Sequence, residues 1–179
     1  MTDKITNAIY SIGHGNRSIE TFMALIHEFR IKHLADIRSY PSSRRNPHFD
    51  RKNLELTLSK SAISYSWYPD LGGFRREGLG KTSPHAALNS PGFRNYADYM
   101  SMASFHTAAT KLSQLAISSS VCFMCAETLP HRCHRSLLAD YLLLQGSKVI
   151  HILDRRRTIV RELSRLATVK NNRIIYNQS

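Results

Sequence analysis

The sequence predicts a single α/β domain, built in three layers around a mainly parallel sheet of about five strands flanked by helices. Three observations predict it. Short apolar or β-branched runs alternate with segments whose apolar residues recur at helical spacing, the signature of strand–helix–strand units. The run Val121-Cys122-Phe123-Met124-Cys125 is apolar without a break, as a strand covered on both faces must be. A length of 179 residues, with 42% hydrophobic and 21% charged content, suits one buried core and is short for two.

Taken in order, residues 8–12 form the first expected strand. A turn containing Gly13 and Gly15 leads into a helix with Ser18 as N-cap, Glu20 in its first turn, and Ile19, Phe22, Met23 and Ile26 as its apolar stripe. Residues 33–37 make the second strand and residues 39–47 its polar exit loop; Leu54 and Leu58 then mark a short helix over residues 49–61. Aromatic and β-branched residues over 63–68 read as the third strand. Residues 69–91 show little periodicity, which inside a compact domain marks a lid or binding loop. Two helices over residues 93–101 and 103–117 precede the central strand at 121–125, a helix within 132–145 and a fifth strand over 148–152. Residues 1–153 thus form the α/β domain, carrying the expected anion pocket. Residues 154–179 are expected as a basic amphipathic helix with a candidate edge strand at 173–176, packed on the same domain.

The 25 Lys and Arg against 13 Asp and Glu leave a formal charge of +12, which favours an anionic partner: DNA, RNA or a phosphorylated metabolite. Residues 1–7 lack the apolar core of a secretory signal. No apolar segment reaches the length of a membrane span, so a cytoplasmic location with no membrane partner is expected. Three cysteines, an odd number close together, read as reduced thiols rather than a disulfide framework.

In an open parallel sheet, ligands bind beyond the carboxyl ends of the strands. The exits bring His14, Asn16 and Arg17 to that rim, then Arg38, Arg44 and Arg45, then Gly72, Gly73 and Arg75, and finally Cys125, Glu127, Arg132, Cys133, His134 and Arg135. Arginine forks match phosphate oxygens, and glycine admits a ligand close to the backbone. Asn16, Arg17, Arg38, Arg44, Arg45, Gly72, Gly73, Arg75, Arg132 and Arg135 are therefore the expected substrate-binding set. The expected catalytic set is Cys125, Glu127, His14 and His134: cations and a helix N-terminus acidify a thiol, and carboxylates and imidazoles move protons. Any one of these arginines suits a solvated rim equally well, or an ion pair with Asp36, Asp70 or Glu127. His134 also lies on the stripe Leu137, Leu138, Tyr141 and Leu142, which suits a buried, hydrogen-bonded histidine.

Familiar cofactor signatures are incomplete. Gly13-His14-Gly15 lacks the third glycine of a dinucleotide fingerprint, and no complete nucleoside-triphosphate loop occurs, so no cofactor is expected. Cys122 and Cys125 have the spacing of a zinc or redox pair, but three-residue spacing on a strand points them to opposite faces. No metal is assigned on this reading; Cys125, Cys133 and His134 form the alternative ligand set. A phosphatase-type loop would place Arg at the sixth position after its Cys, whereas His131 stands there after Cys125, and Arg132 follows.

The motifs Ile12-Gly13-His14 with Asn16-Arg17-Ser18, Asp36-Ile37-Arg38-Ser39 with Arg44-Arg45-Asn46-Pro47, Leu71-Gly72-Gly73, Tyr96-Ala97-Asp98-Tyr99, and Cys125-Ala126-Glu127 followed by Cys133-His134-Arg135-Ser136 resemble those of the domain-of-unknown-function family numbered 488. The resemblance runs from about Tyr10 to Ile152 and implies a single α/β domain; it implies no reaction. The expected function is an enzyme acting on a nucleic acid or other phosphorylated substrate through the arginine-rich rim. One alternative is a non-catalytic nucleic-acid-binding module using the basic tail with Tyr65, Trp67, Tyr68 and Phe74. The other is a metal-binding protein.

Overall fold

Ala8–Gly13 forms the first strand, β1, and takes an interior place in the sheet because its apolar residues suit burial on both faces. The computed structural model of the chain describes residues 8–178; residues 1–7, read above for a secretory signal, lie outside the described residues, as does Ser179. Then follow α1 (Ile19–Glu28), β2 (His33–Asp36), α2 (Arg51–Ser59), β3 (Ser64–Trp67), α3 (Pro91–Tyr99), α4 (Ala103–Ser118), β4 (Val121–Cys125), α5 (Arg135–Leu144) and β5 (Lys148–Ile152). Three short strands close the chain: β6 (Thr158–Val160), β7 (Ala167–Lys170) and β8 (Arg173–Tyr176). Ser18 caps α1 as expected, its hydroxyl accepting from the Thr21 amide at 3.2 Å.

The six-stranded sheet runs β3-β2-β4-β1-β5-β6. Its first five strands are mutually parallel. One face is covered by α1 and α2, whose Phe22, Ile26, Leu54 and Leu58 pack with Ile12, Leu34, Cys122 and Met124. The other is covered by α3, α4 and α5, where Tyr96, Phe105, Leu112 and Leu138 pack with Ala35, Phe123 and Val149. Cys122 and Cys125 fall in opposite layers, as the two-residue period of a strand requires.

Past β5 the chain departs from expectation. The amphipathic helix expected from residue 154 onwards does not form. Residues 158–160 instead pair antiparallel with β5, Ile150 opposite Val160, and add a sixth strand. Thr158, Ile159 and Val160 are β-branched and meet an open strand edge, so cross-strand pairing outcompetes the helical spacing of Ile159, Leu163 and Leu166. The last strand is real, yet it is no edge of the main sheet: β8 forms a separate hairpin with β7. Asn171 and Asn172 turn that hairpin, both at positive φ, 50° and 56°, as a two-residue primed turn demands.

Besides the β5–β6 pairing and the bond from the Ala87 amide to the Tyr176 carbonyl, a buried carboxylate ties the tail to the domain. Fully buried Asp140 on α5 accepts from Arg161 Nε at 2.8 Å and from the Tyr176 hydroxyl at 3.0 Å. A cavity of about 260 Å³ lies between α3, α5 and β8, bordered by His85, Asp98, His106, Tyr141 and Ile174. Among the described residues, no helix is long and apolar enough to cross a membrane.

Candidate functional site

Chain direction decides where the loops go. β1 and β2 send their helices to one face of the sheet, while β4, lying between them, sends α5 to the other. Loops that part in this way leave a crevice at the carboxyl ends of the strands. Register brings those ends level, with Gly13 beside Cys125 and Asp36 beside Met124. The pairing continues into the exits: the His14 amide donates to the Cys125 carbonyl and the Gly15 amide to the Ala126 carbonyl, both at 2.9 Å.

The crevice holds two adjoining hollows of about 360 and 380 Å³ that share His14, Ser43 and Ala126. Arg38, Ser39, Gly73, Cys125 and His134 border the inner one, with Tyr40 and Phe74 at its edge. Asn16, Arg44, Arg45, Asn46, Glu127 and Thr128 border the outer one.

Arg38 is held by Asp36. Its Nε lies 2.9 Å and its Nη2 2.6 Å from the carboxylate, and both residues are buried. The Tyr65 hydroxyl donates to the same carboxylate at 2.8 Å, and Trp67 Nε1 donates to the Arg38 carbonyl at 2.9 Å. Nη1 remains, 3.5 Å from His14 Nε2. Asp36 and the neighbouring hydroxyl hold the Arg38 guanidinium charged against the cost of its burial. The imidazole of His14 stacks on Phe49 at 4.3 Å and donates from Nδ1 to the Gly15 carbonyl at 2.9 Å. Burial pulls its pKa down to about 4, with the charge of Arg38 adding to the effect. At neutral pH this ring is therefore uncharged and presents the Nε2 lone pair towards Arg38.

Across the inner hollow the two sulfurs meet. Cys125 Sγ and Cys133 Sγ are 3.0 Å apart, and Cys133 Sγ is 3.5 Å from His134 Nδ1. The contact with Cys133, reinforced by burial, pushes Cys125 up to about 12. Burial alone would raise Cys133 too, but the hydrogen bond from Cys125 and the cation and amide of Arg135 bring it down to about 7. Of the pair, Cys133 is the more acidic. His134 is fixed by close packing: a Cβ at Gly73 would collide with its ring, and Tyr96 lies edge-on at 5.1 Å.

Residues 18–142 match the model described as Domain of unknown function DUF488. The chain belongs to the DUF488 family. No curated protein and no solved structure matches it. Most of the crevice in this DUF488 protein lies within the matched span; His14 and Asn16 precede it.

The expected binding set divides. Arg38, Arg44, Arg45, Asn16 and Gly73 do line the crevice. Arg135 does not reach it and cannot contact an anion there: it is fully buried and donates to the Ser11 hydroxyl at 2.8 Å and to the carbonyls of Glu127 and Thr128 at 2.6 and 3.1 Å. Arg17 is likewise turned to main-chain carbonyls, those of Gly13, His14 and Leu153. Arg75 lies 3.5 Å over the Tyr99 ring and donates to the Pro69 and Asp70 carbonyls. Arg132 is exposed outside both hollows. Gly72 packs against Ser39 instead of facing the space. Gly80-Lys81-Thr82 resembles the end of a nucleoside-triphosphate loop, but Arg75 stands where the first glycine belongs, and the segment is an exposed turn.

Of the catalytic set, His14, Cys125 and His134 face the inner hollow, and Glu127 stands exposed at the mouth, its carboxylate accepting the Leu129 amide at 3.2 Å. Sequence reasoning named Asp36 among the acids an arginine could pair with and Phe74 among the stacking residues of a binding module, but it missed Asp50 and Tyr40. Asp36 was visible as an acid two residues from Arg38 on the same strand face. Asp50 carried no signal; its carboxylate takes the Ser43 amide at 2.6 Å and so shapes the loop that carries Arg44 and Arg45. The pairing of Tyr40 with Phe74 depends on tertiary structure alone.

Proposed function

We propose that this DUF488 protein is an enzyme acting on a nucleic acid, or on another phosphorylated substrate carrying a base-like ring, bound in the strand-end crevice. The observation that carries the reading is a juxtaposition of two chemistries at one opening. Arg38, Arg44 and Arg45 offer guanidinium groups. Beside them Tyr40 and Phe74, 68% and 54% exposed, stand 5.9 Å apart at the edge of the same space. A base stacked on an aromatic ring gains about 1–3 kcal/mol. Phosphate held by arginine and a base held by a ring are the two halves of single-strand recognition.

In this arrangement Arg44 and Arg45 engage the phosphate at the mouth and Arg38 Nη1 reaches it from the floor. Neutral His14, its Nε2 turned to Arg38 Nη1, steadies that guanidinium edge, and Glu127 is the carboxylate at the entrance that moves a proton. Arg135 and Arg17 position the loops that carry these groups without touching the ligand.

Fluorescence anisotropy with a single-stranded oligonucleotide, over a range of salt, tests the reading. The Arg44→Ala, Arg45→Ala double variant should bind at least tenfold more weakly, with a shallower salt dependence. The Tyr40→Ala, Phe74→Ala double variant should lose a similar factor while keeping the salt slope. Wild-type affinity in both variants would place any nucleic-acid contact elsewhere on the chain and refute the proposal.

A further inference from the structure

The buried sulfur–imidazole cluster raises a question that anion binding leaves unanswered. Cys125 Sγ, Cys133 Sγ and a ring nitrogen of His134 all lie within 4.8 Å of one another. The three residues come from the end of β4 and from the residues just before α5, so the chain crosses over to bring them together. Two sulfurs and an imidazole nitrogen are packed as a set of metal-type donors: Cys133 Sγ lies 3.0 Å from Cys125 Sγ and 3.5 Å from His134 Nδ1.

We propose that Cys125, Cys133 and His134 bind a borderline-soft divalent cation of the zinc type, with its fourth coordination position open to the inner hollow of the crevice. Donor chemistry selects the ion. Two sulfurs and one imidazole match zinc, whereas magnesium and calcium require oxygen ligands. Asp36, the buried carboxylate of the crevice, is already engaged by Arg38 and Tyr65.

Geometry agrees in part and shows what must move. Zinc with a sulfur at about 2.3 Å and a nitrogen at about 2.0 Å holds those atoms about 3.5 Å apart in a tetrahedron, the separation of Cys133 Sγ from His134 Nδ1. Two thiolates on the same ion sit about 3.8 Å apart, so the sulfurs, now at 3.0 Å, would separate modestly on binding. A disulfide would instead draw them in to about 2.05 Å, and it would give the imidazole nothing to do.

The surroundings suit thiolate ligands. The Arg135 amide points at Cys133 Sγ from 3.5 Å, and the Arg135 side chain supplies a fully buried cation with no carboxylate among its hydrogen-bond partners. Such outer contacts orient ligands and balance their charge. Cys125 and His134 both border the hollow, so an ion there would face whatever the crevice binds. Three protein ligands with one open position is the pattern of a reactive zinc site; a structural site is closed by a fourth. The inference stands apart from the nucleic-acid reading, since either can fail without the other.

Elemental analysis of the purified full-length chain, followed by titration of the chelator-treated protein with Zn²⁺ and with Co²⁺, tests it. The expected result is one ion per chain, with cobalt giving a thiolate-to-metal charge-transfer band of two-sulfur strength. Cys133→Ser and His134→Gln should each weaken Zn²⁺ binding at least a hundredfold. Cys122→Ser, altered on the opposite face of the sheet, should bind as the native chain does. The proposal is overturned if the native chain takes up neither ion, or takes up cobalt without a charge-transfer band. A native chain isolated two hydrogens lighter, with Cys125 and Cys133 joined and no ion bound, overturns it in favour of a redox pair. Because the band is read on the native chain, the test holds even where a variant fails to fold.

Discussion

The molecule builds the same polar cluster twice, on opposite sides of the sheet, and uses the copies differently. Asp36 is fully buried, paired with Arg38 and capped by the Tyr65 hydroxyl. Asp140 is fully buried, paired with Arg161 and capped by the Tyr176 hydroxyl. The difference lies in where the arginine comes from. Arg38 is two residues from its acid, so the pair ties together nothing distant; its effect is to fix one guanidinium edge against a cavity, beside His14. Arg161 lies twenty-one residues from Asp140 on a separate segment, and Tyr176 is further still, so the second cluster clamps the end of the chain to α5. One constellation aims a group and the other fastens a tail. Identical chemistry thus carries no fixed meaning until its place on the scaffold is known.

Acid should produce the largest effect, through His14 beside Arg38 and through His151 of β5, which is hydrogen-bonded to the Ser11 hydroxyl at 2.8 Å. Burial, assisted by the charge of Arg38, holds His14 at about 4; burial, assisted by Arg135 and Arg161, holds His151 at about 3. Both are neutral in the fold, while in the unfolded chain each takes a proton near pH 6.5. Their stabilising contribution is therefore complete above pH 6.5 and is lost as pH falls from there towards 4 and 3. The slope is up to about 1.4 kcal/mol per pH unit for each histidine. Urea unfolding should show stability declining from pH 6.5 downward, before the carboxylates titrate; a midpoint flat from pH 7 to 5 would contradict it.

Asp36→Ala should come next. It leaves Arg38 charged and buried without its partner, a loss of about 3–5 kcal/mol, and it should weaken oligonucleotide binding as well. Asp140→Ala should cost less, about 2 kcal/mol, because Arg161 is 20% exposed and can turn to water. Its distinguishing sign is selective proteolysis within residues 154–178 with ligand binding intact. If Asp140→Ala weakened binding as much as Asp36→Ala does, the division of roles would be wrong. The smallest effects belong to Tyr65→Phe and Tyr176→Phe, about 1.5 kcal/mol each from one hydrogen bond to a carboxylate, read in the same denaturant series.

Much of this architecture was legible in the sequence. The strands and helices through β5 announce themselves by apolar period, and the unbroken run at β4 identifies a strand covered on both faces. With the sheet parallel, convergence of His14, Arg38, Arg44, Arg45 and Cys125 at one rim follows from strand direction alone. What was hidden depends on distant partners. Ile159, Leu163 and Leu166 keep helical spacing, yet the open edge of β5 and the carboxylate of Asp140 recruit that stretch as a strand and a clamp. Arg17, Arg75 and Arg135 look like anion ligands because an arginine fork suits a carbonyl as well as a phosphate, and sequence cannot distinguish the two. Conversely, Tyr40 and Phe74 lie far enough apart in the chain that nothing local pairs them.

The antiparallel run of β6 has a consequence for the molecule among its neighbours. A parallel sheet that stopped at β5 would offer a row of free amides and carbonyls to any extended chain, including another copy of itself. β6 fills that edge with three residues in the reversed sense, and Arg155, Arg156, Arg157 and Arg161 flank it. A strand so short, preceded by three arginines, gives an incoming strand little to pair with. The segment that fastens the chain's end therefore also covers the β5 edge of the sheet, leaving β3 as its other edge.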